Sequence, residues 1–118
     1  MVNNKKIRLT GIDGEKAAKK FLKENNYKII DTNFRTRFGE IDIIAIDGDC
    51  IVFVEVKTRG EKSLGNPMEA VNYDKQRKII MASKQFLLKD KYSQLQPRFD
   101  VIEVFIEDGK INHIVNAF

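Results

Sequence analysis

Glu55 and Lys57, an acid and a base two residues apart, lie inside VFVEVKTR (52–59), a run otherwise composed for a buried strand. Residues two apart in a strand point to one face, so both charges share a side of an apparent core element. The preceding run GEIDIIAI (39–46) is also strand-like, and Asp47-Gly48-Asp49 between the two is a turn signal. With Gly48 and Asp49 as a two-residue loop, glycine first, the turn is type II′. In that register Asp42 opposes Glu55 and Glu40 opposes Lys57, with directly opposed Cβ atoms about 5 Å apart. A three-residue loop would break this pairing.

Two opposed carboxylates are unfavourable unless a cation sits between them. Lys57 could supply part of that charge, and a divalent cation more. Mg²⁺ or Mn²⁺ suits an oxygen donor set of Asp42, Glu55 and the backbone carbonyl of Val56, with water and phosphate oxygens completing the shell. The bland alternative is a salt-bridge cluster at a sheet end, which contributes little. An isolated E-x-K favours that alternative, and the acid on the neighbouring strand shifts the balance toward a metal site.

The chemistry such a site could do is phosphodiester hydrolysis, which needs an attacking water, neutralised charge at phosphorus and a stabilised leaving oxygen. Lys57 could orient or deprotonate the water, or stabilise the transition-state charge. Nearby acids favour its charged form in the absence of burial, so electrostatic stabilisation is the preferred role. Glu40 could bind a second metal, but pairing with Lys57 is the preferred reading. Arg35 and Arg37 before the site strand, Arg59 after it, and Lys75 and Lys78 at i, i+3 spacing on a later helix are candidate phosphate contacts. Each alone reads as a solvated side chain. As a group they flank the acids, and such contacts give affinity without sequence choice. Phe34 and Phe38 read as core aromatics rather than base-stacking platforms.

The elements that must hold these residues follow from periodicity. Ala17, Ala18, Phe21 and Leu22 recur at helical spacing over 13–25, with Lys16, Lys19, Lys20 and Lys23 on the other side. Strands are expected at 27–34, 39–46, 50–58, 98–106 and 111–118. The middle two are apolar on both faces, as in a sheet covered on both sides. A glycine-rich loop over 59–67 leads to a helix from Met68 to about Lys89, with Met68, Val71, Ile79, Ala82, Phe86 and Leu87 inward. The order α-β-β-β-α-β-β predicts an α/β fold, a central mixed sheet flanked by helices, in one domain over 13–118 behind a basic, mobile tail at 1–12.

Composition sets limits on function. The chain has 118 residues, 42% hydrophobic and 32% charged, an ordinary globular make-up. No apolar run approaches the roughly 20 residues of a membrane helix, and the start has no secretory h-region. Cys50 is the sole cysteine and His113 the sole histidine. An intramolecular disulfide or a cysteine zinc site within one chain is excluded, which fits the cytoplasm. A net charge of +4 and a pI near 9.2 permit a nucleic-acid partner without requiring one. His113 reads as a partly buried surface residue, and Asp100 as a partner of Arg98, a strand cap, or support for the site.

The acid in GEID followed by Glu55-Val56-Lys57, set in this element order, resembles the PD-(D/E)xK restriction-endonuclease-like nuclease superfamily. Ile41 precedes Asp42 where that superfamily often has proline. Glu15, in GEKAA, sits where the similar archaeal Holliday-junction resolvases carry a helix glutamate that reaches the metal, and Gln76 where related nucleases place glutamine or lysine. More closely, GEKAAKKFL, NFRTRFGEIDIIA, VFVEVKTR, GNPMEAV and RFDVI, from about 11 to 105, resemble the YraN-like family of small uncharacterised bacterial proteins. The resemblance implies a nuclease-like fold, Mg²⁺ or Mn²⁺ as cofactor, catalytic roles for Asp42, Glu55, Lys57 and Glu15, and a nucleic-acid partner, DNA in preference to RNA, linear or branched. A homodimer follows only by analogy with junction-cutting relatives. Two other classes stay open: a non-catalytic nucleic-acid-binding module of the same fold, and an interaction protein whose acids form ion pairs.

Overall fold

The computed structural model describes residues 11–60 and 71–118. Residues 1–10, Met68 and most of the expected 59–67 loop lie outside the described residues. Helix α1 runs Gly11–Glu24, beginning two residues before the expected start. Ala18 and Leu22 are fully buried on its inner face. It ends where Asn26 turns into the left-handed region at φ 69°. The Asn26 N–H then reaches the Lys23 carbonyl at 3.0 Å and the Tyr27 N–H the Leu22 carbonyl at 2.9 Å. This is a Schellman stop with asparagine in glycine's usual place.

Five strands follow: β1 (Lys28–Arg35), β2 (Glu40–Asp47), β3 (Cys50–Arg59), β4 (Gln96–Phe105) and β5 (Ile111–Ile114). They lie side by side in chain order. All neighbours are antiparallel except β3 and β4, which are parallel and need a crossover. Helix α2 (Tyr73–Phe86) lies in that connection. The fold is thus α/β with a mixed sheet in the expected order.

Both faces of the sheet are covered. One carries α1 over Val52, Val54, Ile43, Ile102 and Val104. The other carries α2 over Phe53, Ile44, Ile51 and Val101. Ile51 to Val54 are all essentially inaccessible, which explains why β3 reads as a continuous apolar run. The α1 backbone approaches β3 closely: a Cβ on Gly14 would stand 2.5 Å from the Thr58 Oγ1.

Helix α2 is shorter than the expected 68–89. Asn72 takes an extended backbone and its side chain accepts the Lys75 N–H at 2.9 Å, so the helix starts at this cap. Val71 precedes the helix, yet it is buried in the α2-side core, as are Ile79, Ala82 and Phe86. The far end closes at Leu87, and a 3-10 turn at Asp90–Tyr92 leads to β4. The last strand is also shorter than 111–118. Asn116 turns at φ 56°, and the Ala117 N–H bonds to the Phe99 carbonyl at 2.7 Å.

Candidate metal site and phosphate contacts

The β2–β3 turn fixes the position of the acids. Gly48 has φ 59° and Asp47 pairs with Cys50, a two-residue loop with glycine first. The register runs through Ala45↔Val52 and Ile44↔Phe53 to Ile43↔Val54, as the turn predicts, and the paired ladder ends there. Beyond it the side-chain alternation slips: Ile41 joins the α2-side core while Ile43 belongs to the α1 side. Asp42 sits at the slip. Its carboxylate Oδ2 accepts the Val56 N–H at 2.8 Å. The expected face-to-face pairing of Asp42 with Glu55 as ladder partners is therefore replaced by a side chain standing in for the strand acceptor.

This places Asp42 beside the second acid. Burial, then the charge of Glu55, pushes its carboxyl up to about 7, against the opposing hydrogen bond from Val56; Glu15 and Glu40 add smaller repulsion. Glu55 is only 6% exposed. Its cation is Lys75, whose Nζ stands 2.7 Å from the Glu55 Oε2. Lys75 lies in the first turn of α2, set there by the Asn72 cap. Burial works against its charge, but the hydrogen bond it donates to Glu55 and the charges of Glu55 and Asp42 outweigh it and raise its pKa.

Lys57 departs from the electrostatic expectation. Its pKa is lowered, by burial first and then by the charge of Lys75, with Glu55 only partly opposing. Lys57 and Lys75 lie close enough for each to act on the other's charge. Burial, which the sequence does not display, reverses the direction expected from acids alone. The expected Glu40–Lys57 pair is also replaced. Glu40 meets Arg35 on the adjacent β1 at 3.3 Å, its direct ladder partner.

Among the other phosphate candidates, availability differs. Arg59 is held by Glu103 at 3.0 Å, and Asn112 donates to the other Glu103 oxygen at 2.9 Å. Gln76 donates to the Val71 carbonyl at 2.9 Å and so anchors the approach to α2. Lys78 pairs with Asp74 at 3.2 Å on the exposed helix face. Arg37 lies over the Phe38 ring at 5.0 Å, beside a shallow groove it shares with Arg35, Thr36 and Gln85. Phe34 packs edge-on against Phe86 at 5.1 Å, in the core. Arg35, Arg37 and Lys78 therefore remain exposed, and Lys75 stays half-exposed beside Glu55.

The donor set suits a hard divalent cation. Asp42 and Glu55 supply carboxylate oxygens, the hydrogen bond donated by the Val56 N–H to Asp42 fixes that peptide at the same point, and an ammonium already sits on Glu55. Among the described residues no three Asp, Glu, His or Cys side chains converge as a ready cluster. Glu15, half-buried in the first turns of α1, acts on Asp42 through space. Two protein carboxylates with water and substrate oxygens completing the shell is the pattern for Mg²⁺.

The sequence does not display Lys75 as the counter-ion of Glu55. In the sequence Lys75 reads only as a phosphate contact, by its charge and its i, i+3 spacing to Lys78. Recognising Asn72 as the cap would have put Lys75 in the first turn, at the end of the helix that faces the strand acids.

Among the described residues no helix is long and apolar enough to cross a membrane. The uncharacterised protein family UPF0102 matches residues 14–104, which include Glu15, Asp42, Glu55, Lys57 and Lys75. A UPF0102 protein of Alkaliphilus oremlandii is 53% identical over 98% of this chain and 99% of its own length. Another, of Caldanaerobacter subterraneus subsp. tengcongensis, is 44% identical over 99% of this chain and 98% of its own. A third, of Acetivibrio thermocellus, is 49% identical over 98% of this chain and 94% of its own. The chain belongs to the UPF0102 family, the YraN-like proteins its motifs resemble.

Proposed function

We propose that this protein is a Mg²⁺- or Mn²⁺-dependent nuclease of the cytoplasm that hydrolyses phosphodiester bonds, in DNA in preference to RNA. The observation that carries this reading is the pair of close, largely buried carboxylates, Asp42 on β2 and Glu55 on the central strand β3, with Lys57 beside them. Binding alone needs positive charge and gains nothing from two acids forced together. The likeness of the motif and element order to the PD-(D/E)xK nucleases supports the same reading, and the likeness to junction resolvases points to branched DNA.

Asp42 and Glu55, with the Val56 carbonyl, would hold the cation, and Glu15 would act directly or through water. A bound divalent cation neutralises charge at phosphorus and lowers the pKa of a water. Lys57, its pKa lowered by burial and by Lys75, is suited to take a proton from the attacking water. The ammonium so formed then faces the negative charge developing on the phosphate. Arg35, Arg37 and Lys78 are placed to hold flanking phosphates.

The test is incubation with linear, single-stranded, flapped and four-way-junction DNA, and with RNA, in Mg²⁺, Mn²⁺ and EDTA. Expected is metal-dependent cutting, reduced by about 10²-fold or more in Lys57→Ala, the usual range for loss of a general base, with binding retained. Band shifts without cutting under any metal would favour the non-catalytic binding module.

A further inference from the structure

The proposed hydrolysis gives Lys75 only an indirect part, through the pKa of Lys57, while its own direct contact is with Glu55. Lys75 contributes the shortest ion pair to the acids, 2.7 Å to Glu55, while its side chain remains 42% exposed. Its position is unfavourable for the helix itself. A lysine in the first turn opposes the helix dipole, whereas Asp74 in the same turn suits it. The compensation is Glu55, which is nearly inaccessible and costly to leave without a counter-charge. Lys75 also lines a pocket of about 300 Å³ with Gly39, Glu40, Asn72 and Lys78. The acids at that pocket are already matched, Glu40 by Arg35 and Asp74 by Lys78. A short rotation of a four-carbon stem would carry the ammonium from Glu55 into it.

We infer that Lys75 is the resident counter-ion of the metal-free site: it holds Glu55 until a divalent cation replaces it, and its released ammonium then binds a substrate phosphate in the adjoining pocket. The inference rests on the proposed metal site. In the free protein cation and lysine compete for the same carboxylate, so Lys75 weakens metal binding while strengthening substrate binding. A lysine that merely served as one more phosphate contact would leave metal affinity unchanged.

The test is titration of Mn²⁺ into the full chain without nucleic acid, followed by electron paramagnetic resonance of the free ion and by calorimetry, at pH 7.5. Lys75→Gln is expected to bind Mn²⁺ about tenfold more tightly than wild type, the equivalent of one charge-assisted hydrogen bond no longer displaced. The same variant is expected to bind a labelled DNA duplex in Mg²⁺ several-fold more weakly. Lys75→Arg, which keeps the charge, should bind Mn²⁺ no more tightly than wild type. Equal or weaker Mn²⁺ binding by Lys75→Gln, with wild type binding normally, overturns the role of Lys75 and leaves the metal site standing. Absence of Mn²⁺ binding in both overturns the metal site as well. Should Lys75→Gln fail to fold, the Lys75 side-chain ¹³Cε signal of the wild type decides. It is expected to shift on Mg²⁺ addition, and a fixed signal at saturating Mg²⁺ contradicts the displacement.

Discussion

Asp42→Asn is expected to abolish metal-dependent cleavage and, in the absence of metal, to make the protein more stable at pH 8. The two effects have one cause. Burial and the charge of Glu55 push the Asp42 carboxyl up to about 7, well above the ordinary value near 3.9 of an unfolded chain. Between those values the native state binds a proton that the unfolded state has released, so native stability falls as pH rises through the window from about 4 to about 7. Asparagine does not titrate, and its amide oxygen can still accept the Val56 N–H that Asp42 accepts at 2.8 Å. The variant should therefore match wild type near pH 4 and exceed it by on the order of 2 kcal/mol at pH 8, as read by urea unfolding in EDTA. Saturating Mn²⁺ should narrow that gap by stabilising only the wild type. A site under such strain in the resting protein is what a functional carboxylate pair predicts, with stability given up for activity. An Asp42→Asn protein less stable than wild type at pH 8 would contradict it.

The second large effect lies on the other face of the sheet. Arg98→Ala is expected to destabilise the fold by about 3 kcal/mol, the usual consequence of leaving a buried acid without its partner. Asp100 is fully inaccessible. It accepts from the Arg98 Nε at 3.0 Å and Nη2 at 2.8 Å, from the Asn116 N–H at 3.1 Å, and meets His113 Nε2 at 2.7 Å. Arg98 also reaches Asp47 at 2.9 Å and the Tyr27 hydroxyl at 2.7 Å, tying β4 to the β2–β3 turn and to the start of β1. Burial alone would raise the Asp100 pKa, but the bonds from His113, Arg98 and Asn116 reverse it and the net direction is down. Stability from this acid is thus present at neutral pH and lost as pH falls below the ordinary carboxylate range. The gap between Arg98→Ala and wild type should narrow in acid. At neutral pH the midpoint of thermal unfolding should fall by roughly 10 °C, with cleavage at 20 °C little changed. A shift of only a degree or two would show this network to be dispensable.

The contrast between these two clusters explains what could be read from the chain. The Gly48 turn is local chemistry, so the register of β2 on β3 was legible, and with it the meeting of Asp42 and Glu55. Arg98 and Asp100 are two apart in one strand, and their pairing was legible for the same reason. The slip at Asp42 was not, because it depends on which face each of Ile41 and Ile43 finds in the packed sheet. Nor was the partner of Glu55, since Lys75 is 20 residues away in sequence and reaches it only because Asn72 caps α2. The direction of the Lys57 shift depends on burial, a property of the assembled layers. Inner-face residues such as Ala18, Leu22 and Phe86 were legible because helical periodicity records which side meets the sheet.

A crystal structure grown in millimolar Mn²⁺, with the metal located by its anomalous signal, would show whether the two acids hold a cation. A peak held by Asp42 and Glu55 is expected, with the Lys75 ammonium moved off the Glu55 carboxylate and the peak absent in Glu55→Ala. Crystals saturated with Mn²⁺ that show no metal at these acids, with Lys75 still on Glu55, would contradict it.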